Sequence, residues 1–131
     1  MALEQYIHGY IAKEVRFEGG DYIIKEGSLG HWAYVVLEGQ VKMKKTTPTG
    51  LVTIDTLREG DVFGEISLWD PGKGTRSESI VADGPVRLGI LDNDLLLKHY
   101  ETLSPRLKSL LGFLMERLLA TTKKAVTLAQ L

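Results

Sequence analysis

From about Tyr10 to Leu91, short β-branched and aromatic runs alternate with Gly-containing turns. The segment VRFEGGDYIIKEGSLGHWAYVVLEGQVKMKKTTPTGLVTIDTLREGDVF predicts strands near 15–17, 21–25, 32–37, 40–45, 51–57 and 61–63. Between them lie the turn sequences GG, EGSLG, EG, TPTG and REG. SIVADGPVRLGIL then predicts a hairpin, Ser79–Ala82 with Val86–Leu91, turned at Asp83-Gly84-Pro85. Many short strands at close, regular spacing predict an all-β sandwich or barrel. After Asp92 the period changes. Asp92 or Asn93 caps a short helix over about 92–101. Ser104-Pro105, with Ser as N-cap and Pro at the first helical position, opens a long helix over about 104–130. The chain is thus expected to be mainly β with C-terminal α: a β-roll over about 10–91, a short helix, then a long one.

The long helix carries its own pattern. Leu107, Leu111, Leu114, Leu118, Thr121, Ala125 and Leu128 recur at alternating steps of four and three, the a/d seam of a coiled coil. Leu110, Phe113 and Leu119 lie off that seam and are expected to face the β-roll. A helix with two apolar faces packs on its own domain and on a second copy at once, which predicts a homodimer through this helix.

Composition narrows the function. The 131 residues allow one domain with a real core, and 1–131 is read as a single domain. Hydrophobic residues make up 44% and charged residues 25%, with a formal net charge of −1. Near-neutral charge argues against binding along a nucleic-acid backbone, which needs a basic stripe. With no cysteine there is no disulfide, thiolate metal site or cysteine nucleophile. No window approaches a signal peptide or a membrane span, so a soluble, cytoplasmic protein is expected. His8, His31 and His99 lack metal-ligand spacing. No nucleophile–base arrangement, paired-carboxylate site or Walker-type loop is recognisable, so no enzyme, metal or cofactor is predicted. Trp32, Tyr34 and Val35-Val36-Leu37 read as core. Lys42, Lys44 and Lys45 read as the charges of an edge strand.

The chemistry concentrates in FGEISLWDPGKGTRSES, Phe63 to Ser79. Val62-Phe63 delivers the chain to Gly64, where the missing Cβ lets backbone approach a ligand. EISLW suits a single helical turn whose free N–H groups make an anion site. One arginine, Arg76, can grip two oxygens of a singly charged phosphate, and Ser77 can add a hydroxyl donor. Glu65 is placed to accept from a neutral sugar hydroxyl. A capped turn in which Glu65 simply pairs with Arg76 uses the same residues, and residue types alone do not separate the two.

FGEISL, a variable loop, and TRSESIVA together resemble the phosphate-binding cassette of cyclic nucleotide-binding domains. EGSLGHWAYVVLEGQVKM is similar to that family's turn–strand–Gly–strand segment, and REGDVFGE to its entry into the cassette. The likeness spans nearly the whole chain and is nearest to the sensor half of bacterial catabolite-activator-type regulators. It implies a double-stranded β-helix (a jelly-roll-like β-roll) with a short phosphate-binding helix and a long C-terminal dimer helix. It also implies a 3′,5′-cyclic nucleotide ligand, most simply cyclic AMP, sensed for signal transduction. By the resemblance Glu65 accepts from the ribose 2′-hydroxyl and Arg76 pairs with the phosphate. Ser77 and the backbone of Gly64, Glu65, Ile66 and Ser67 complete that site. Met43 and Ile54 are apolar contacts for the base, and Thr121 and Thr122 match two hydroxyl residues that reach the adenine amino group. An output domain or partner protein is implied, with no DNA binding by this chain alone. Glu78 departs from the family pattern, which has a small residue there. A ligand-free docking domain with Glu78 occupying Arg76, or a sensor of a non-nucleotide molecule, is the alternative.

Overall fold

The computed structural model describes residues 6–28, 30, 32–64, 76 and 78–129. A 3-10 turn, His8–Tyr10, leads into β1 (Ile11–Phe17) and β2 (Tyr22–Ile24). They are followed by β3 (Tyr34–Thr47), β4 (Gly50–Leu57), β5 (Val62–Phe63) and β6 (Ser79–Leu91). The six strands form one antiparallel sheet in the order β1-β6-β3-β4, with β2 added to β6 and β5 to β3.

Two long strands dominate where shorter ones were expected. β3 runs through Gly39 without reversing, and β6 runs through Asp83-Gly84-Pro85 without forming the predicted hairpin. The two pair with each other along their lengths, from Tyr34↔Ile90 to Lys44↔Ser79. Register shifts between Val36/Glu38 and Glu38/Gln40 bend the ribbon, as an extra residue in one strand does. Gly39 sits at φ +88° and Gly84 at φ +80° in this bend. A Cβ on Gly39 would lie 2.5 Å from the carbonyl oxygen of Pro85. The glycines therefore serve a corner in paired strands rather than a turn between them.

The bend closes the sheet over a core. Ile24, Tyr34, Val36, Val41, Phe63, Ile80, Val86, Leu88 and Ile90 fill one side, with Met43 and Leu57 packed against them. The alternate residues Ala33, Val35, Leu37 and Leu91 form a second cluster with Ile7, Tyr10, Ile11 and Leu96. Residues 33–37 are thus buried on both faces. Trp32, expected in the core, is 55% exposed. β3 is interior to the sheet rather than an edge. Two of its lysines pair instead, Lys45 with Glu26 at 3.5 Å and Lys42 with Asp83 at 3.9 Å.

Helix α1 (Asn93–Glu101) is capped by Asp92, whose Oδ1 accepts from Leu95 N–H at 3.1 Å. Tyr10 Oη meets His99 Nδ1 at 2.7 Å, tying the first turn to this helix. Helix α2 (Pro105–Ala129) starts at Ser104, whose Oγ accepts from Leu107 N–H at 3.2 Å. It lies against β3 and β4, with Leu111, Met115, Leu119 and Thr122 half-buried. Leu110 and Phe113, expected to face the roll, are exposed, as are Leu107, Leu114, Leu118 and Leu128. No described helix is long and apolar enough to cross a membrane.

Candidate ligand-binding site

β5 pairs with the start of β3, Phe63 opposite Tyr34, and so delivers Gly64 to the mouth of the core. Gly64 has φ +73°, a conformation that side chains disfavour. A Cβ there would stand 2.8 Å from Trp32 O and 3.2 Å from Arg76 Nη1. Backbone conformation and space both require glycine at this point.

Arg76 closes the corner. Its Nη2 donates to Trp32 O at 2.7 Å and its Nη1 to Gly64 O at 3.3 Å. The guanidinium also lies against Gly30, where a Cβ would overlap its atoms. Two carbonyls orient the plane of the cation. The Arg76 backbone is held as firmly, donating to Ser28 O and accepting from Gly27 N–H, both at 2.8 Å. Tyr34 stands close enough to respond electrostatically. Burial pushes its phenol above the ordinary tyrosine value, and the positive charge of Arg76 opposes that shift. Its ring stacks on Phe63 at 5.1 Å between centroids.

Gly64 and Arg76 are therefore brought together as expected. Met43 packs against the core, opposite Ile80. Ile54 is half-buried where the β3–β4 register slips, between Met43↔Asp55 and Lys44↔Thr53. Thr122 is half-buried on the roll-facing side of α2, with its hydroxyl donating to Leu118 O at 2.9 Å. Thr121 is exposed, and neither threonine hydrogen-bonds to Arg76 or Gly64. Glu65, Ile66, Ser67 and Ser77 lie outside the described residues. Glu78 makes no ion pair with Arg76 among the described residues. It is half-buried, and its enclosed Oε1 finds no hydrogen-bond donor there.

Three contributors escaped sequence reasoning. Trp32 acts through its carbonyl, which no side chain advertises. Gly30 offers only the space of a missing Cβ, and Tyr34 was read as plain core. An open depression of about 690 Å³ lies elsewhere, at the strand bends, lined by Gly39, Gln40, Arg58, Glu59, Asp83 and Gly84. Two of its polar groups meet there, Gln40 Nε2 donating to Asp83.

Fold and site together define a β-roll binding module with a fixed arginine at its mouth. The chain belongs to the cyclic nucleotide-binding domain family, whose model matches residues 14–102. It is 37% identical over 116 residues to the human cyclic nucleotide-gated channel beta-1, covering 86% of this chain and 9% of the channel. Its fold matches the cAMP-bound form of the EAL enzyme Bd1971 with a TM-score of 0.73 at 28% identity. That match covers 88% of this chain and 30% of the other; the cGMP-bound form gives 0.72 at 30% identity. The catabolite activator protein of Thermus thermophilus gives 0.71 at 29% identity, over 97% of this chain and 58% of that one. The chain spans less than two thirds of each of these relatives.

Proposed function

We propose that this domain senses a 3′,5′-cyclic nucleotide, cyclic AMP in the first instance, and passes the binding event to its C-terminal helix. The observation that carries the reading is the guanidinium of Arg76, set by the carbonyls of Trp32 and Gly64 at the mouth of the β-roll. A planar fork held there is suited to two oxygens of one cyclic phosphate. Glu65 takes the ribose 2′-hydroxyl, while Ser77 and the backbone of Gly64, Glu65, Ile66 and Ser67 surround the phosphate. Met43 and Ile54 supply apolar contact for the base, and Thr121 and Thr122 read its exocyclic edge.

The nucleotide is the ligand, and the domain needs no cofactor or metal. Residues 1–131 act as one sensor unit in the cytoplasm, working as a homodimer through α2 and addressing an output domain or partner protein. The bound forms of Bd1971 support a cyclic nucleotide as the ligand class, and they include both cAMP and cGMP. Calorimetric comparison of the chain with Arg76→Ala tests the reading. Truncation leaves the phosphate without its counter-charge in a desolvated corner, so affinity for cyclic AMP is expected to fall at least a hundredfold, about 3 kcal/mol. Equal affinity in the two proteins would remove Arg76 from the site.

A further inference from the structure

The turn that grips the Arg76 backbone is itself anchored by side chains outside the pocket. Gly27 N–H and Ser28 O form a two-bond bridge to Arg76, each bond 2.8 Å. Glu26 heads that turn. Its N–H donates to Ser79 Oγ at 2.9 Å, and Ser79 is only 3% exposed. The Glu26 carboxylate accepts from Thr46 N–H at 3.0 Å and faces Lys45 Nζ at 3.5 Å. Ser28 closes the turn by donating both N–H and Oγ to Lys25 O. The turn is thus tied to β3 through Lys45 and Thr46, and to β6 through Ser79.

Resting on the reading of Arg76 as the phosphate partner, we propose that Glu26 and Ser79 are positioning residues for its guanidinium, acting through the Gly27–Ser28 bridge. The guanidinium stays in place only if its main chain starts from the right point. It must reach Trp32 O and Gly64 O together while lying against Gly30. Bidentate recognition tolerates little displacement, so a turn that shifts by a fraction of an ångström spoils the fork. Neither Glu26 nor Ser79 has to touch the ligand.

The test follows the Arg76 Nε–H resonance in the ¹⁵N-labelled, ligand-free 131-residue chain, assigned by its loss in Arg76→Lys. Arg87, held by Glu14 at 2.8 Å and Glu38 at 3.4 Å, supplies an internal control. In Glu26→Ala and in Ser79→Ala the Arg76 signal is expected to shift or broaden while that of Arg87 stays. Cyclic AMP affinity is expected to fall about tenfold in both. Glu26→Gln keeps an acceptor for Thr46 N–H and loses only a partly exposed ion pair, so it is expected to stay within about threefold of the parent. An unmoved Arg76 signal overturns the proposal, as does joint movement of Arg76 and Arg87, or a moved signal with unchanged affinity. If the parent chain binds no cyclic nucleotide while the Arg76 signal still responds, the phosphate reading falls and the positioning link stands.

Discussion

Two main-chain carbonyls, those of Trp32 and Gly64, decide where the guanidinium of Arg76 lies. Two glycines leave room for this arrangement: a Cβ on Gly30 would overlap the guanidinium, and one on Gly64 would stand 2.8 Å from Trp32 O. Glu78, two residues beyond Arg76, has the opposite character. Its carboxylate is half-enclosed, and Oε1 is buried without a donor among the described residues. An unsatisfied buried acceptor costs about 1–3 kcal/mol, more when charged. In the proposed function a negative side chain close to the phosphate would also oppose the ligand. Glu78→Ala is therefore expected to raise folding stability by about 1 kcal/mol, read by urea denaturation. It is also expected to tighten cyclic AMP binding several-fold in calorimetry. Loss of stability together with loss of binding would mean that Glu78 is a structural partner.

At the scale of elements, α2 shows one side to the roll and another to solvent. Leu111, Met115 and Leu119 are half-buried, whereas Phe113 is 69% exposed, Leu114 54% and Leu118 43%. An exposed apolar stripe of this length calls for a partner surface. The proposed homodimer supplies it with the same stripe on a second copy. Light scattering at tens of micromolar is expected to report twice the 14.5 kDa chain mass, with or without ligand. Leu114→Glu with Leu118→Glu is expected to return it to monomer. A monomer throughout would contradict the dimer. The helices were legible in the sequence because Asp92, Ser104 and Pro105 write their starts locally. The long strands were not. Residues 33–37 are buried on both faces, so alternation is lost, and Gly39 and Gly84 mark a bend that reads locally as a turn. The cassette-like motif assigned Gly64 and Arg76 to one site, while their direct contact, the Trp32 carbonyl and the Glu26–Ser79 anchorage depend on contacts distant in sequence.

For the whole molecule, the fold joins a charged corner to a helix that is only partly covered. Arg76 lies at the mouth of the roll, while α2 rests on β3 and β4, the strands that carry Met43 and Ile54. A ligand spanning from Arg76 toward Met43 and Ile54 would reach the strands on which α2 packs. That is the physical route by which binding reaches the helix in the proposed function. The near-neutral chain offers no broad field to attract polyanions, so in the proposed function recognition rests on the Arg76 corner. Isothermal titration of the purified chain with cyclic AMP and with cyclic GMP tests that claim most directly. Saturable heat is expected with at least one nucleotide at micromolar to sub-millimolar concentration, competed by the other. No heat with either at millimolar ligand would contradict it.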